Sequence, residues 1–231
     1  MQKHMLITGA SSGIGRALAI LAEEHHVNLS LCGRNKNKLT QTLKELKQSS
    51  NTVADSFCIT ENSSFKRFLS KANAKHGDVD VLVNCAGLNN VRKQAQDLNI
   101  EEITSLMEVN FYAPIQCINS VLPQMLPRKS GTVINILSTV CLYSNPGIAA
   151  YTASKAALDS YTKVMRKELK DHEIKMLSVY PGGVDTQFRD ESRSDYLSAT
   201  EVAKAIFHQI NTDDKTHIHE LVIRPSCEEN F

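Results

Sequence analysis

Seven short runs of apolar and β-branched residues recur along the chain, and a helical pattern follows nearly every one. The runs are HMLIT (4–8), VNLSLC (27–32), TVADSFC (52–58), VDVLVN (79–84), TVINILS (132–138), IKMLSVY (174–180) and HELVIRP (219–225). Between them lie segments such as GIGRALAILAEEH and NKLTQTLKELKQ, with apolar residues recurring every three or four positions. Strands separated by helices cannot be joined by tight hairpins. Each return needs a crossover, so neighbouring strands run parallel, and the right-handed crossovers place helices on both faces. The central runs are almost continuously apolar, as strands buried on both faces require. The pattern therefore predicts an α/β fold, a doubly wound parallel sheet of about seven strands. No repeat, low-complexity tract or Pro/Gly-rich linker interrupts the 231 residues, so one domain over 1–231 is expected.

Composition narrows the function classes. A net charge of +1 gives no electrostatic footprint for nucleic acid or an anionic membrane. No apolar run approaches the roughly 20 residues that span a bilayer, and the charged start MQKHM does not read as a leader. The six cysteines (Cys32, Cys58, Cys85, Cys117, Cys141, Cys227) form no framework and no C-x-x-C. Four fall in apolar segments, which suits reduced, buried thiols and a cytoplasmic location. His217 and His219 share one face of a strand, but no partner stands at ligand spacing, so no metal site is expected.

The turn between the first strand and first helix reads ITGASSGIGRALA. Gly9, Gly13 and Gly15 let the backbone turn tightly and approach a ligand, and the helix amino terminus behind them offers free N–H groups to a pyrophosphate. The spacing is G-x-x-x-G-x-G, not the commoner dinucleotide G-x-G-x-x-G. In such folds an acidic residue about 20 positions on holds the adenosine ribose 2′-OH, whereas an arginine accommodates a 2′-phosphate. Gly33 and Arg34 occupy that place with no carboxylate close by, which favours NADP(H) over NAD(H). Alternatively, Arg34 simply begins a basic surface helix with Lys36 and Lys38.

The helical segment AAYTASKAALDSYTKVMRKEL places Tyr151 and Lys155 four residues apart, on one face. A phenol titrates near pH 10, and a neighbouring ammonium favours its anion. A tyrosine so placed can exchange a proton with a carbonyl or alcohol oxygen. Ser138, at the carboxyl end of the fifth strand, stands where ligands of open α/β sheets bind and can hold the same oxygen. Pro114 lacks the N–H that would bond to the Asn110 carbonyl, so the helix EEITSLMEVNFYAPIQCINSVL should kink at Asn110 and leave that oxygen free for a water.

Together these segments resemble the short-chain dehydrogenases/reductases, in the branch with short chains. The matching motifs are TGASSGIG (8–15), NCAG (84–87), Asn110, Ser138, YTASK (151–155) and PGGVDT (181–186), and 13 positions separate Ser138 from Tyr151. The resemblance implies that Tyr151 is the general acid in carbonyl reduction and Ser138 orients the substrate oxygen. It further implies that Lys155 holds the nicotinamide ribose while lowering the tyrosine pKa, and that Asn110 completes a water relay. Ser11, Ser12 and Ile14 fall in the phosphate turn; Asn84, Ala86 and Gly87 line the adenosine side. Pro181, Gly182, Val184 and Thr186 meet the nicotinamide carboxamide. Two positions depart from the family pattern. CIT puts Cys58 where an acidic adenine contact is common, leaving that contact to Thr60 or the backbone, with Cys58 and Ile59 still on the cofactor side, and Cys85 replaces a second asparagine.

The resemblance implies an NADPH-dependent reductase of ketones or aldehydes, reversible as an alcohol dehydrogenase, with 3-oxoacyl thioesters as one substrate class. The expected substrate wall is Leu142, Tyr143, Ile148, Phe188 and Tyr196. The polar segment 182–200 reads either as a lid or as a solvated connection. Arg128, Lys129, Lys163, Arg166, Lys167 and Lys170 read as a solvated face, or as an attraction for an acidic carrier protein. An epimerase of the extended branch would need a longer carboxyl-terminal region. A sensor of NADP(H) without turnover is the alternative from another class. The resemblance also implies a homodimer or homotetramer.

Overall fold

The computed structural model describes residues 2–188, 193–213 and 215–229. Seven parallel strands form the central sheet: β1 (His4–Thr8), β2 (Asn28–Cys32), β3 (Val53–Asp55), β4 (Val81–Asn84), β5 (Gly131–Ile136), β6 (Ile174–Pro181) and, last in the chain, β9 (Glu220–Ile223). A two-residue pair, β7 (Val184–Asp185) with β8 (Leu197–Ser198), stands apart from it. The sheet order is β3-β2-β1-β4-β5-β6-β9. The chain therefore winds outward from β1 in one direction and from β4 in the other, leaving a crevice where the order reverses, beyond the carboxyl ends of β1 and β4.

Helices cover both faces. On one side α1 (Gly13–Glu24), α2 (Lys36–Glu45) and α7 (Ala199–Ile210) press Leu18, Ala22, Leu39 and Ile206 onto Ile7, Leu31 and Val83. On the other, α3 (Asn62–His76) and α5 (Ala113–Arg128) press Phe65, Phe68, Ile118 and Val121 onto Leu6, Leu82 and Val133. Alternate residues of one strand thus enter opposite cores, the consequence of the two-residue side-chain period. Each of these large side chains, fully buried, contributes about 2 kcal/mol relative to exposure. A capping box formed by Ser198 and Glu201 opens α7. Among the described residues, no helix is long and apolar enough to cross a membrane.

The third run, 52–58, yields only three strand residues. The Asp55 carboxylate accepts from the Ser56 N–H at 2.8 Å, and the chain turns so that Cys58 leaves the sheet. The fifth run leaves the sheet before Ser138, and the last ends ahead of Pro225, which has no N–H for a ladder. The kink at Asn110 takes a specific form. Between α4 (Ile100–Met107) and α5 lies one π turn, Glu108–Tyr112, and the Ala113 N–H reaches five residues back to the Glu108 carbonyl. Such a turn places Asn110 inward, fully buried. α6 (Ala149–Glu168) follows β5 and carries Tyr151 and Lys155 in its first two turns.

Candidate active site

A cleft of about 540 Å³ opens over the carboxyl ends of the strands, at the switch point between β1 and β4. Its floor is two loops locked together. The Thr8 hydroxyl accepts from the N–H groups of both Cys85 and Ala86 at 3.1 Å, and donates to the Val83 carbonyl at 3.4 Å. Gly9 adopts φ +69°, and a Cβ there would lie 2.7 Å from the Ala86 nitrogen. Only glycine permits both that backbone and that approach. Behind it Ser12 stands at the amino end of α1, whose first N–H groups face the cleft.

At one end of the cleft β2 delivers Gly33 and Arg34. Asn35 caps α2, accepting from the Lys38 N–H at 3.0 Å, and Lys38 extends across the mouth to Gln187 Oε1 at 2.6 Å. Cys58 and Ile59 form the neighbouring wall, and the Cys58 thiol meets the Thr60 hydroxyl at 3.2 Å. This end is cationic.

At the other end Tyr151, Lys155, Ser138 and Asn110 converge. Lys155 is 4% exposed and donates to the Ile136 carbonyl at 2.7 Å, which fixes its ammonium beneath the cleft. Burial pulls its pKa down to about 8. Gly87 ties the group together: a Cβ there would lie 3.5 Å from Asn110 Oδ1, 3.7 Å from Lys155 Nζ and 3.8 Å from the Phe188 ring. The Asn110 amide donates to the Leu88 carbonyl at 2.8 Å and to Ser154 Oγ at 3.0 Å, and its oxygen accepts from the Leu88 N–H at 2.8 Å. Asn110 thus clamps the loop after β4 to α6. Ser138 takes the Val140 N–H at 3.3 Å on its hydroxyl oxygen, and Tyr151 packs against Phe188 with ring centroids 6.2 Å apart.

Most residues singled out in the sequence line this cleft: Ser11, Ser12, Gly13, Ile14, Ala86, Gly87, Ile148, Pro181, Gly182, Val184, Thr186 and Phe188 are among them. Others stand elsewhere. Asn84 is buried in the sheet, its amide donating to Asn135 Oδ1 at 2.8 Å, so it braces β4 against β5. Gly15 lies inside the turn, where a Cβ would come within 2.6 Å of the Gly9 carbonyl. Leu142 and Tyr143 face outward, and Tyr196 packs on Gly183. Of segment 182–200, residues 189–192 lie outside the described residues. Within the basic group, Arg128 donates to the Val79 carbonyl, Arg166 to the Met176 and His219 carbonyls, and Lys163 to Asp159, so these three act as internal ties.

Sequence reasoning missed Glu228, which lines the cleft from the carboxyl-terminal tail, and passed over Lys38 as a helix-surface charge. Lys38 had a signal: it falls four positions after Arg34, in the first turn of the helix that Arg34 and the cap Asn35 lead into. Glu228 had none, because its place depends on how the tail folds back.

The chain matches the model of the short chain dehydrogenase family over residues 3–197. An uncharacterized oxidoreductase of Staphylococcus aureus (strain MW2) is 30% identical over 96% of this chain and 97% of its own length. The fold superposes on an alcohol dehydrogenase from the archaeon Thermococcus sibiricus, complexed with 5-hydroxy-NADP, with a TM-score of 0.91 at 24% identity and complete coverage of both chains. A metagenomic short-chain oxidoreductase in complex with NADP gives a TM-score of 0.85 at 26% identity, over 98% of each chain.

Proposed function

The chain belongs to the short-chain dehydrogenase family, and from that premise we propose that it is an NADP(H)-dependent oxidoreductase interconverting a ketone or aldehyde with the corresponding alcohol. The observation that carries this reading is the cleft's two unlike ends, Arg34 and Lys38 at one and Tyr151, Ser138 and Lys155 at the other. The residues present fit the cofactor. The closely packed Gly9 turn and the α1 amino terminus suit a pyrophosphate, and Arg34 with Lys38 suits a 2′-phosphate.

When bound, NADPH supplies the hydride. The protein supplies the proton and the geometry. The Tyr151 hydroxyl gives its proton to the carbonyl oxygen as charge develops there, and the Ser138 hydroxyl donates a hydrogen bond to the same oxygen. Lys155 sits where little water reaches it, so an anionic neighbour stabilises its ammonium more than at the surface, and the same attraction favours the Tyr151 phenolate. Pro114 has no N–H to offer the Asn110 carbonyl, which holds a water leading from Lys155 towards solvent. Leu88, Val140, Ile148 and Phe188 line the reacting end, which suits a moderately apolar substrate.

NADPH oxidation against a panel of ketones, aldehydes and 3-oxoacyl thioesters tests the reading. Turnover of one class is the expected result; no turnover of any class contradicts it. Pairing of copies through α5 and α6 belongs to the same reading. Sedimentation at micromolar concentration should then give a dimer or tetramer, and a lone monomer would rule the pairing out.

A further inference from the structure

The tail after β9 folds back onto the reacting end and places one ion pair there. Glu228 accepts from the Gly183 N–H at 2.7 Å and from Arg224 Nε at 3.1 Å. The carboxylate fills the space a side chain at Gly182 would occupy: a Cβ there would lie 2.4 Å from Glu228 Oε2. The Arg224 guanidinium lies over the Tyr143 ring, 5.0 Å from its centroid. The two partners are not equivalent. Glu228 lines the cleft, whereas Arg224 stands behind it with a side chain 11% exposed. The negative member of the pair therefore faces the substrate.

Among the described residues lining the cleft, Glu228 is the only carboxylate. Two other charged groups stand near this end. Lys155 also lines the cleft, but its ammonium is held on the Ile136 carbonyl and is the one the reading above pairs with Tyr151. Arg92 is exposed at the mouth, its guanidinium held on the Asn89 and Val91 carbonyls and on Asn89 Oδ1, where solvent and salt screen it. A half-buried carboxylate in a confined cleft is screened far less.

We infer that Glu228, held by Arg224 and the Gly183 N–H, determines substrate charge: the site takes carbonyl compounds that are neutral or cationic near the reacting carbon and rejects those with a carboxylate there. This rests on the oxidoreductase reading for the word substrate, but the charge filter itself needs only the cleft. Rejecting a like charge is how a site discriminates between molecules of nearly equal shape.

The test uses benzoylformate and its methyl ester, which differ in one charge. Binding of each to the protein treated with oxidised NADP+, which has no hydride to give, is measured by calorimetry, so no turnover intervenes. The wild type should bind the ester at least about tenfold more tightly than the acid, the scale of one nearby like charge in a confined site. Glu228→Gln keeps an oxygen for the Gly183 N–H but removes the carboxylate's charge from the cleft, and should shift the preference towards the acid. The double variant R224Q/E228Q removes both charges and should bring the ratio near one. This graded order is the signature, because a merely structural loss would weaken both probes alike. A wild type that binds the acid as well as the ester, or binds neither, overturns the inference. So does a ratio unchanged in Glu228→Gln. A protein that discriminates as expected yet oxidises NADPH with no carbonyl keeps the charge filter and loses the oxidoreductase reading.

Discussion

The two ends of the cleft, proposed above as the adenosine end and the reacting end, are assembled from different kinds of structure. At the adenosine end, most groups come from one βαβ unit: β1, the glycine turn, α1, β2 and the start of α2, with Cys58 and Ile59 after β3 as the neighbouring wall. At the reacting end, Ser138 follows β5, Tyr151 and Lys155 ride on α6, Asn110 sits in a π turn, and Glu228 arrives from the tail. The first end is a local motif that any chain with those glycines can build. The second exists only once the whole sheet is assembled. Binding can therefore be separated from chemistry by mutation.

The largest expected effect lies at the reacting end. On the proposed mechanism Tyr151→Phe removes the proton donor and should lower kcat by about 10³-fold, within the usual range for general acid–base groups, while NADPH affinity stays within about twofold. Steady-state rates beside a fluorescence titration check both halves; equal loss of binding and turnover would merge the two ends.

Lys155 gives the next effect. Burial lowers its pKa to about 8 in the folded protein, against roughly 10.4 in an unfolded chain. Between those values the unfolded chain binds more protons, so stability rises with pH from about 8 towards 10.4 and is lost as pH falls back. The size is on the order of 3 kcal/mol. Urea unfolding of the cofactor-free protein should show this rise in the wild type and not in Lys155→Met. Parallel curves would mean the ammonium is better solvated than its 4% exposure implies.

The adenosine end is probed by replacing Arg34 and Lys38 together with alanine. NADPH should bind about 30-fold more weakly, roughly 2 kcal/mol, and NADH almost unchanged. An equal loss for both nucleotides would place these cations on the shared pyrophosphate.

The smallest effect belongs to neither end. His4 begins β1, at the amino end of the strand and away from the cleft, with Nδ1 on the Gly77 carbonyl and Nε2 on Ser30 Oγ, both at 2.8 Å. Burial lowers its pKa. The folded state thus prefers the neutral ring, and stability falls as pH drops below the unfolded histidine value of about 6.5. A His4→Asn variant should flatten that decline without altering nucleotide affinity.

The same contrast explains what was legible in the sequence. Strand runs, the glycine turn, Arg34 and the Tyr151–Lys155 pair are visible because periodicity and short spacing carry them. Pro114 signalled the break at Asn110 but not that it would be a π turn, which depends on packing against α6 and the Leu88 loop. Asn84 lies in a motif that pointed at the ligand, yet its amide is taken by Asn135 on the neighbouring strand. Tyr143 was expected in the substrate wall and instead lies beneath Arg224. Each shift arises from a partner more than 20 positions away, where short-range patterns carry no information.

Selection of a phosphorylated nucleotide by the cationic end is what most distinguishes the proposed function. Fluorescence titration of the wild-type protein with NADPH and NADH, side by side at one salt concentration, tests this directly. NADPH binding at least about tenfold tighter is the predicted result, as an arginine at the 2′-phosphate position requires. Equal affinities, or a preference for NADH, would contradict it and reduce Arg34 and Lys38 to the charged face of a surface helix.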